Sequence, residues 1–505
     1  MSAKVLSAGL SGLAAELVEA ESDIGSGDIG SFIIVGLPDA SISEAKERVR
    51  SALRNSGLSL PKLKITINLA PADLRKQGPN YDLPIALSIL LASGQLPSGC
   101  LRQVMCLGEL SLDGQTRPVS GVLPAACLAK ELGLRAIIVP AGNAAEAQIV
   151  DGLTVWPATD LKQIIGQLRG LSQPLTIKRL DNNSIEPAVV VDFSHVCGQE
   201  TAKRALEIAA AGNHNLLMIG PPGSGKTMLA KAVPGILTGL AADEAIEVAK
   251  IYSIAGYLKG ANQPPSIRPF RSPHHSASAA SIIGGGSWPS PGEISLAHRG
   301  VLFLDELPEF SRAVLEGLRQ PLEDGFATIN RTIGQLIFPA QFLLIAAMNP
   351  CPCGFFGDNR QVCRCSSRQI ANYRRKLSGP LLDRLDLQLT IQRVRPADFS
   401  YGVKLESSAE VRRRVESARQ QQKQRLAGTK FLTNGDLTPL AIKQFCLIDR
   451  YGQALLRQAV DQLNLSARGY FRVLRLARTI ADLANEPTIA KIHLAESLQY
   501  RFANY

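Results

Sequence analysis

Residues 216–233, LLMIGPPGSGKTMLAKAV, place an apolar run, a glycine-rich loop and a helix-forming segment in direct succession. Glycines let such a loop curl until its backbone N–H groups face a polyphosphate. Lys226 can reach the β- and γ-phosphate oxygens, and the hydroxyl of Thr227 can bind Mg²⁺. We therefore predict that ATP is bound with Mg²⁺ by the residues of this loop: Gly220, Pro221, Pro222, Gly223, Ser224, Gly225, Lys226 and Thr227.

An acidic pair follows a second apolar run about eighty residues later, in RGVLFLDELPEF at 299–310. Four consecutive apolar residues are typical of a strand buried on both faces of a parallel sheet. Asp305 comes directly after this strand and is predicted to bind the metal ion. Glu306 is predicted to polarise the water that attacks the γ-phosphate.

A third apolar run, FLLIAAMNP at 342–350, ends in Asn349, whose amide can hold the lytic water. The alternative is an asparagine that only forms the turn before Pro350. Farther on, Arg384 lies in the apolar stretch LSGPLLDRLDLQL at 377–389. It either pairs with Asp383 or Asp386, or it is supplied to the ATP of a neighbouring subunit.

These residues need a scaffold, and the chain of 505 residues is long enough for two or three domains. Strand and helix signals alternate over 1–170, a polar and Pro-containing linker covers 171–190, and the candidate site occupies 191–395. Residues 396–505 are nearly all helical by pattern, beginning with SSAEVRRRVESARQQQKQRLAG at 407–428. The predicted fold is α/β, with a helical C-terminal segment.

The formal net charge of +11 favours a polyanionic partner, and arginines concentrate between Arg412 and Arg425. The alternative is a solvated basic face in which Glu406, Glu410 and Glu416 pair locally. The uncharged span 332–357 contains prolines and polar amides, so we predict a buried strand with its loops and no membrane segment. The N-terminus does not resemble a secretory signal, and we expect a cytoplasmic protein.

Four of the nine cysteines fall within residues 351–365 as two Cys-x-Cys pairs: Cys351, Cys353, Cys363 and Cys365. Four thiolates can hold a structural Zn²⁺ tetrahedrally. A disulfide within Cys-x-Cys would close a small strained ring, and the expected compartment is reducing. We predict a zinc site, with free thiols as the alternative.

Together, the motifs at 216–233, 299–310 and 377–389 resemble those of AAA+ ring ATPases. The details are similar to the branch that holds magnesium-chelatase ATPase subunits and MCM-type helicases. The resemblance implies that Arg384 acts on a neighbour's ATP. In SARGYFRVLRLA at 466–477 it implies that Arg468 is the second sensor, with Arg472 and Arg475 as alternatives.

The same branch carries an insert and a β-hairpin beside the pore of the ring. The span 266–300 can hold the insert, and its adjacent His274 and His275 are predicted to have a loop role in preference to metal binding. FATINRTIGQLIFPA at 326–340 fits the hairpin and places Arg331 near its tip. The resemblance therefore implies that Arg331 contacts DNA.

Residues 76–93 and 108–147 resemble the proteolytic domain of Lon proteases, an α+β fold of the ribosomal S5 domain 2-like type. That family has a nucleophilic serine after Gly-Pro and a lysine after a glycine-containing turn. Here Asn80 and Leu123 occupy the two positions. Because a Ser–Lys dyad needs both partners, we predict a Lon-like domain over 1–170 without peptidase activity.

The order of these segments resembles the ComM/YifB family of bacterial magnesium-chelatase-like proteins. The resemblance implies a homo-hexameric, ATP-driven DNA motor that promotes branch migration during natural transformation. A motor that remodels a protein partner remains the rival hypothesis, since both would use the same hydrolysis chemistry. An ATP-dependent protease is disfavoured by Asn80 and Leu123.

Overall fold

The computed structural model describes residues 2–25, 30–37, 39–74, 76, 78–173, 191–258, 263–286, 290–331, 334–394, 405–463 and 465–500. Most of the predicted linker 171–190 therefore lies outside the described residues. The chain divides into two compact units. The first comprises Met1–Asn183, Ala242–Pro265 and Asn330–Phe338, and the second Ser184–Ala241, Ser266–Ile329 and Pro339–Tyr505.

The strands of the described residues are, in chain order, β1 (Ser2–Ser11), β2 (Ala14–Gly25), β3 (Phe32–Val35), β4 (Lys64–Ala70), β5 (Val104–Cys106), β6 (Glu109–Leu110), β7 (Thr116–Arg117), β8 (Ala136–Pro140), β9 (Thr154–Ala158), β10 (Leu216–Ile219), β11 (Phe270–Arg271), β12 (Gly284–Gly285), β13 (Ser290–Pro291), β14 (Val301–Leu304), β15 (Phe326–Arg331), β16 (Gly334–Pro339), β17 (Leu343–Met348) and β18 (Leu387–Thr390).

The helices of the same residues are α1 (Ala40–Asn55), α2 (Asp82–Ala92), α3 (Val122–Glu131), α4 (Ala144–Ala147), α5 (Leu161–Leu168), α6 (Glu200–Gly212), α7 (Lys226–Ala232), α8 (Ala242–Ile254), α9 (Ala279–Ile283), α10 (Glu293–Leu296), α11 (Arg312–Gly317), α12 (Arg319–Asp324), α13 (Ser367–Arg374), α14 (Gly379–Leu382), α15 (Ser408–Arg425), α16 (Pro439–Phe445), α17 (Arg450–Leu463), α18 (Ala467–Leu483) and α19 (Lys491–Gln499).

The first unit is built on a mixed seven-stranded sheet with the order β3-β4-β2-β1-β5-β8-β9. Alternate residues of β4, Ile65, Ile67 and Leu69, are buried in one apolar cluster with residues of α1 and α2. This period of two is the pattern that a sheet with one covered face requires. In contrast, α2 is buried along almost its whole length.

Asn80 and Leu123 occupy the two positions that would carry a Ser–Lys dyad, and their side chains cannot form one. The Asn80 amide Nδ2 donates to the Ser120 carbonyl oxygen at 3.5 Å. Leu123 is fully buried, and its backbone N–H donates to Glu146 Oε1 at 3.0 Å. The hydroxyl of Ser253 in α8 donates to the same Glu146 oxygen at 2.5 Å. Residues beyond the predicted domain 1–170, including those of α8, therefore also belong to the first unit.

A buried ion pair stabilises the first unit beside these positions. Arg48 Nε and Nη2 donate to the two oxygens of Asp82 at 2.7 and 2.9 Å, and the Asp82 side chain is 1% exposed. Burial raises the pKa of Asp82 to about 6, although Arg48 acts in the opposite direction.

Replacing Arg48 with alanine should therefore destabilise the protein by about 3 kcal/mol at pH 8, because it leaves a buried charge without its partner. Because the folded pKa lies above the unfolded one, the contribution of Asp82 to stability falls as pH rises through 4 to 6. Loss of Arg48 raises that pKa further, so the loss of stability should be smaller at pH 5. Thermal unfolding followed by circular dichroism at both pH values checks this.

Arg50→Ala is the matched control, since Arg50 lies on the same helix and pairs with Glu47, which is 61% exposed. We expect almost no change for this variant, as is usual for surface pairs. Equal losses for Arg48→Ala at pH 5 and pH 8 would contradict the prediction.

The second unit contains a parallel five-stranded sheet with the order β11-β14-β17-β10-β18. All residues of β10, β14 and β17 are buried, as the continuous apolar runs predicted. Parallel strands bring their carboxyl ends to one edge, where ligands bind in open α/β sheets. The predicted α/β class is confirmed.

The helices α15 to α19 belong to the second unit, and four of the five arginines of α15 make internal contacts. Arg412 Nε donates to the Gly235 carbonyl at 2.9 Å, and Arg419 Nη2 to the Ala210 carbonyl at 2.8 Å. Arg414 pairs with Glu207 and Glu406, and Arg425 with buried Asp482. The positive charge of these arginines was one reason to predict a polyanionic partner. In the structure, their side chains instead bind groups of the second unit and hold α15 in place.

Among the described residues, no helix has the length and apolar character needed to cross a bilayer.

Candidate functional site

The glycine-rich loop connects the end of β10 with the start of α7. Gly223 and Gly225 have φ values of +74° and +90°, a region that side chains other than glycine rarely occupy. Gly220 is needed for space, since a Cβ atom there would lie 2.4 Å from the Ile391 carbonyl oxygen. The three glycines therefore give the loop the curled shape that a polyphosphate requires.

The ammonium group of Lys226 lies inside this loop. Its Nζ donates to the carbonyl oxygens of Gly220 at 2.7 Å and Pro221 at 2.9 Å, and to Asn349 Oδ1 at 3.3 Å. Burial lowers the pKa of Lys226 to about 8, against the opposing effect of Asp305 and Glu306. Phosphate oxygens can replace these neutral acceptors, which makes the lysine a ready cationic ligand for ATP.

The two predicted magnesium ligands are brought together by different elements. Asp305 follows β14, Thr227 belongs to α7, and the Thr227 hydroxyl donates to Asp305 Oδ2 at 2.8 Å. A carboxylate beside a hydroxyl supplies the hard oxygen ligands that Mg²⁺ prefers. The donor set therefore fits this ion.

Glu306 occupies a left-handed backbone conformation, with φ of +53°. Its N–H donates to Asp305 Oδ1 at 2.9 Å, and its side chain is 51% exposed. Non-glycine residues in this region are uncommon and occur at functional sites. The candidate base is thus held next to the metal ligand and faces the open side of the site.

His275 is a site residue for which the sequence analysis predicted only a loop role. Its Nδ1 lies 3.2 Å from Glu306 Oε2. The position of β11 next to β14 explains this contact, since the loop after β11 then starts beside Asp305 and Glu306. The spacing in the sequence does not reveal which strands are neighbours.

Asn349 lies at the end of β17, between the lysine and a buried aromatic ring. Its Oδ1 accepts from Lys226 Nζ at 3.3 Å, and its backbone N–H acts to lower the pKa of Tyr373, which burial raises. Gly220 and Asn349 are thus on adjacent strands at the carboxyl edge of the sheet. Asn349 is accordingly placed beside the phosphate loop, as a water-positioning residue must be.

Arg384 lies at the opposite edge of the same sheet. Asn215, the residue before β10, donates from Nδ2 to the Arg384 carbonyl at 3.2 Å and accepts at Oδ1 from the N–H of Leu344 at the start of β17. The four residues of β10 span about 13 Å between this edge and the phosphate loop. Arg384 is therefore remote from the ATP loop of its own chain.

The guanidinium of Arg384 pairs with Glu323 and donates to the Pro380 carbonyl at 2.6 Å. Its predicted alternative partners, Asp383 and Asp386, lie near other arginines. Asp383 is 4.0 Å from Arg468 and 3.9 Å from Arg472. The predicted pairing of Arg384 with Asp383 or Asp386 is therefore wrong, since its ion pair is with Glu323.

A cavity of about 680 Å³ is lined both by Arg384 and by Arg468, the predicted second sensor. Arg468, Arg472 and Arg475 all line it. The Arg468 side chain is 65% exposed, whereas that of Arg472 is 8% exposed and lies 3.6 Å from Asp386. Of the three candidates, Arg468 is thus the one most accessible to a ligand.

Asp386 anchors the buried side of this arginine cluster. Burial acts to raise its pKa, but His214, Arg475 and Arg472 outweigh burial and hold the pKa well below its ordinary value. The ring of His214 also makes a 2.7 Å hydrogen bond to Thr479 in α18. The segment before β18 is therefore connected to the helix that carries Arg468.

The four clustered cysteines converge immediately after Asn349. The Sγ atom of Cys351 lies 3.4 Å from that of Cys353 and 3.7 Å from that of Cys363, and all four sulfurs lie within 4.8 Å of one another. Tetrahedral zinc with Zn–S bonds of about 2.3 Å requires sulfurs about 3.8 Å apart. The donor set thus fits Zn²⁺, whereas a disulfide needs a separation of about 2.05 Å.

The cysteines of this cluster differ in acidity. Backbone hydrogen bonds act to lower the pKa of Cys363 and of Cys365, but burial and the neighbouring sulfurs outweigh them and raise both values, whereas Cys353 favours the thiolate form. Backbone N–H groups of Phe355 and Arg364 lower the pKa of Cys353 to about 6. The Phe356 N–H also donates to Cys351 Sγ at 3.3 Å.

The cysteine loop packs directly against the nucleotide loop. A Cβ atom on Gly354, whose φ is +84°, would lie 2.7 Å from Pro222 Cδ. Phe356, in the same cysteine loop, has the guanidinium of Arg374 5.2 Å from the centre of its ring. A metal at the four sulfurs would therefore fix a loop that supports the phosphate site.

The hairpin predicted to carry a DNA contact is only partly described. β15 ends at Arg331 and β16 begins at Gly334. The side chain of Arg331 lies outside the described residues, so its DNA contact stays a prediction.

Profiles of three magnesium-chelatase families match the chain: "Subunit ChlI of Mg-chelatase" over residues 20–143, "Magnesium chelatase, subunit ChlI" over 192–399 and "Magnesium chelatase, subunit ChlI C-terminal" over 405–501. Competence protein ComM of Haemophilus influenzae is 44% identical over 495 residues, 97% of this chain and 95% of that protein. The protein YifB of Escherichia coli is 45% identical over 469 residues, 93% of this chain and 91% of that protein.

A shorter match links the chain to Lon protease 2 of Bacillus subtilis, with 28% identity over 123 residues, 24% of this chain and 22% of that protein. The two near-complete matches, the three profiles and the parallel-sheet nucleotide site agree with one another. The chain belongs to the ComM/YifB family of magnesium-chelatase-like AAA+ proteins, a membership that indicates an ATPase.

Proposed function

We propose that the protein is an ATP-driven motor that works on DNA as a homo-hexamer. The observation that carries the assembly is the separation of the hydrolytic groups. Lys226, Asp305 and Asn349 lie at one edge of the sheet, and Arg384 lies at the other. Contact between these groups on one ATP molecule requires a second copy of the chain.

Within one subunit, the hydrolytic step uses the groups at the carboxyl edge of the sheet. Lys226 exchanges its carbonyl acceptors for phosphate oxygens, and Thr227 and Asp305 would hold Mg²⁺, which would neutralise phosphate charge. Glu306 polarises the attacking water, and Asn349 fixes that water beside the γ-phosphate.

The neighbouring subunit supplies the second part of the site. Arg384 stabilises the charge that develops on the transferred phosphoryl group, and Arg468 contacts the same nucleotide from the shared cavity. The pairing with Glu323, which is 59% exposed, is broken when Arg384 approaches the ATP.

DNA is the proposed polymer because the chain carries a net charge of +11 and resembles a competence protein over nearly its whole length. We propose a role in natural transformation or recombination as a branch-migration helicase acting in the cytoplasm. Arg331 is the proposed contact in the ring's pore. Phosphate contacts of this kind ignore sequence and weaken with salt.

A chelatase-type motor that remodels a protein partner is the second candidate. It is favoured by the three magnesium-chelatase profiles, which cover both the nucleotide site and the C-terminal helices. The same ATP site would serve either function, so the stimulating partner distinguishes them.

The ATPase rate should rise when forked or four-way DNA is added at low salt. The DNA concentration that gives half of this stimulation should increase at least tenfold between about 50 and 200 mM salt, because several phosphate contacts release counterions. The measurement is steady-state phosphate release with and without each DNA, using Lys226→Ala as the variant without hydrolysis. Lack of stimulation by any DNA at low salt would refute the DNA motor and leave the protein-remodelling candidate.

A further inference from the structure

We propose that His275 is a positioning residue that orients the Glu306 carboxylate towards the attacking water. The inference deepens the proposed ATP hydrolysis and rests on it. The carrying observation is the 3.2 Å distance between His275 Nδ1 and Glu306 Oε2.

The sheet topology makes this contact a consequence of the fold. β11 and β14 are parallel, with Phe270 opposite Val301 and Arg271 opposite Leu302. Their carboxyl ends are therefore neighbours, and the loop that contains His275 leaves the sheet beside the strand that leads to Glu306. At the start of this loop, Arg271 is fixed by two hydrogen bonds of 2.7 Å to Glu293.

The imidazole ring of His275 is held between two other rings. The His274 ring lies 4.1 Å away at an angle of 33°, and the Phe310 ring packs edge to face at 6.4 Å and 83°. His274 is itself fixed, because its Nδ1 accepts from the N–H of Ser276 at 3.3 Å. These contacts limit ring rotation, so Nδ1 keeps a fixed position beside the carboxylate.

The backbone of Glu306 fixes the position of its Cβ atom but not the orientation of its carboxylate. A neighbouring group is therefore needed to orient that carboxylate. The carboxylate is about half exposed and otherwise has several rotamers open to it. The close approach of the His275 ring, with Nδ1 3.2 Å from Oε2, restricts that oxygen and leaves Oε1 to accept from the water. A base oriented by a third group is the arrangement that activated nucleophiles generally require.

Loss of His275 should change turnover without changing nucleotide binding, because the residue is proposed to orient Glu306 and not to bind ATP. We expect His275→Ala to lower kcat for ATP about tenfold, a part of the 10²–10⁴ that a general base contributes. KM and the affinity for a non-hydrolysable ATP analogue should stay unchanged, since His275 makes no contact with Lys226 or Thr227 in the described structure. The assay is steady-state hydrolysis at saturating DNA, with the analogue titrated separately.

Asparagine at the same position provides the rescue, because its Nδ2 takes the place of the ring Nδ1. His275→Asn should recover turnover to within about threefold of the wild type, a part of the orientation that alanine loses. His195→Ala is the matched control, since the exposed ring of His195 accepts from the N–H of Asp192 in its own turn.

Three results would overturn the proposed role of His275. Unchanged or faster turnover of His275→Ala beside an active wild type would overturn the orienting role. Equal loss of turnover and of analogue binding in both the alanine and the asparagine variants would show a purely structural role and also overturn it. A wild-type protein that hydrolyses no ATP would instead refute the proposed function, and this inference with it.

Discussion

Replacing Arg384 with alanine is expected to lower ATP hydrolysis by a factor of about 10³ while every subunit still binds nucleotide. The reason is the location of Arg384 at the amino edge of the sheet, one strand length away from the phosphate loop of its own chain. An arginine at that edge is too far from the phosphate loop of its own chain, so in the proposed hexamer it would act on the nucleotide of another subunit. Steady-state hydrolysis and binding of a fluorescent ATP analogue measure the two properties separately.

Mixing two inactive variants tests the trans arrangement directly. Lys226→Ala subunits lack the phosphate ligand but keep Arg384, so mixed rings should contain complete sites at some interfaces and regain measurable hydrolysis. Arg102→Ala replaces an exposed arginine of the first unit and should behave as the wild type. Full activity of Arg384→Ala, or loss of its nucleotide binding, would contradict the trans assignment.

Most of the ATP site could be predicted from the sequence because its parts are contiguous in the chain. Curvature of the phosphate loop depends on glycines at 220, 223 and 225, and Lys226 follows them directly. Asp305 and Glu306 follow a run of four apolar residues that can form only a buried strand in this context. Local spacing and one general property of parallel sheets were therefore sufficient.

Contacts that depend on the order of strands could not be predicted in this way. His275 reaches Glu306 only because β11 lies next to β14, and Arg384 pairs with Glu323, sixty-one residues away in the chain. Neither pairing has a signature in spacing or composition. The arginines of α15 likewise gave the same charge pattern as a DNA-binding helix, although Arg412 and Arg419 bind backbone carbonyls of the unit.

Removal of zinc is expected to decrease both stability and hydrolysis, although the metal touches no substrate. Cys351→Ser and Cys363→Ser should each bind less than one zinc per chain and unfold at a lower temperature than the wild type. Structural zinc sites contribute about 10–16 kcal/mol of binding energy in isolated small domains. Here that energy would order a loop within a larger unit, so a partial loss of stability is expected.

Hydrolysis should fall because of what this loop supports. Gly354 contacts Pro222 of the phosphate loop, and Cys351 comes two residues after Asn349. Without a metal, four thiolates would repel one another or be protonated, and the support for Pro222 and Asn349 would be lost. The expected effect is a rise in KM for ATP together with a lower kcat, unlike the change in kcat alone expected for His275→Ala.

Metal analysis after purification, thermal unfolding and ATPase kinetics give three independent readouts of this prediction. Cys100→Ser is the control, since Cys100 is a half-buried thiol of the first unit outside the cluster. If the wild-type protein binds no zinc, the distances among the four sulfurs reflect packing of free thiols, and the zinc assignment is wrong. If zinc is bound but its removal leaves KM and kcat unchanged, the metal stabilises the cysteine loop without supporting the phosphate site. The packing of Gly354 on Pro222 favours coupled loss, because a shift of the cysteine loop removes a close contact of the phosphate loop.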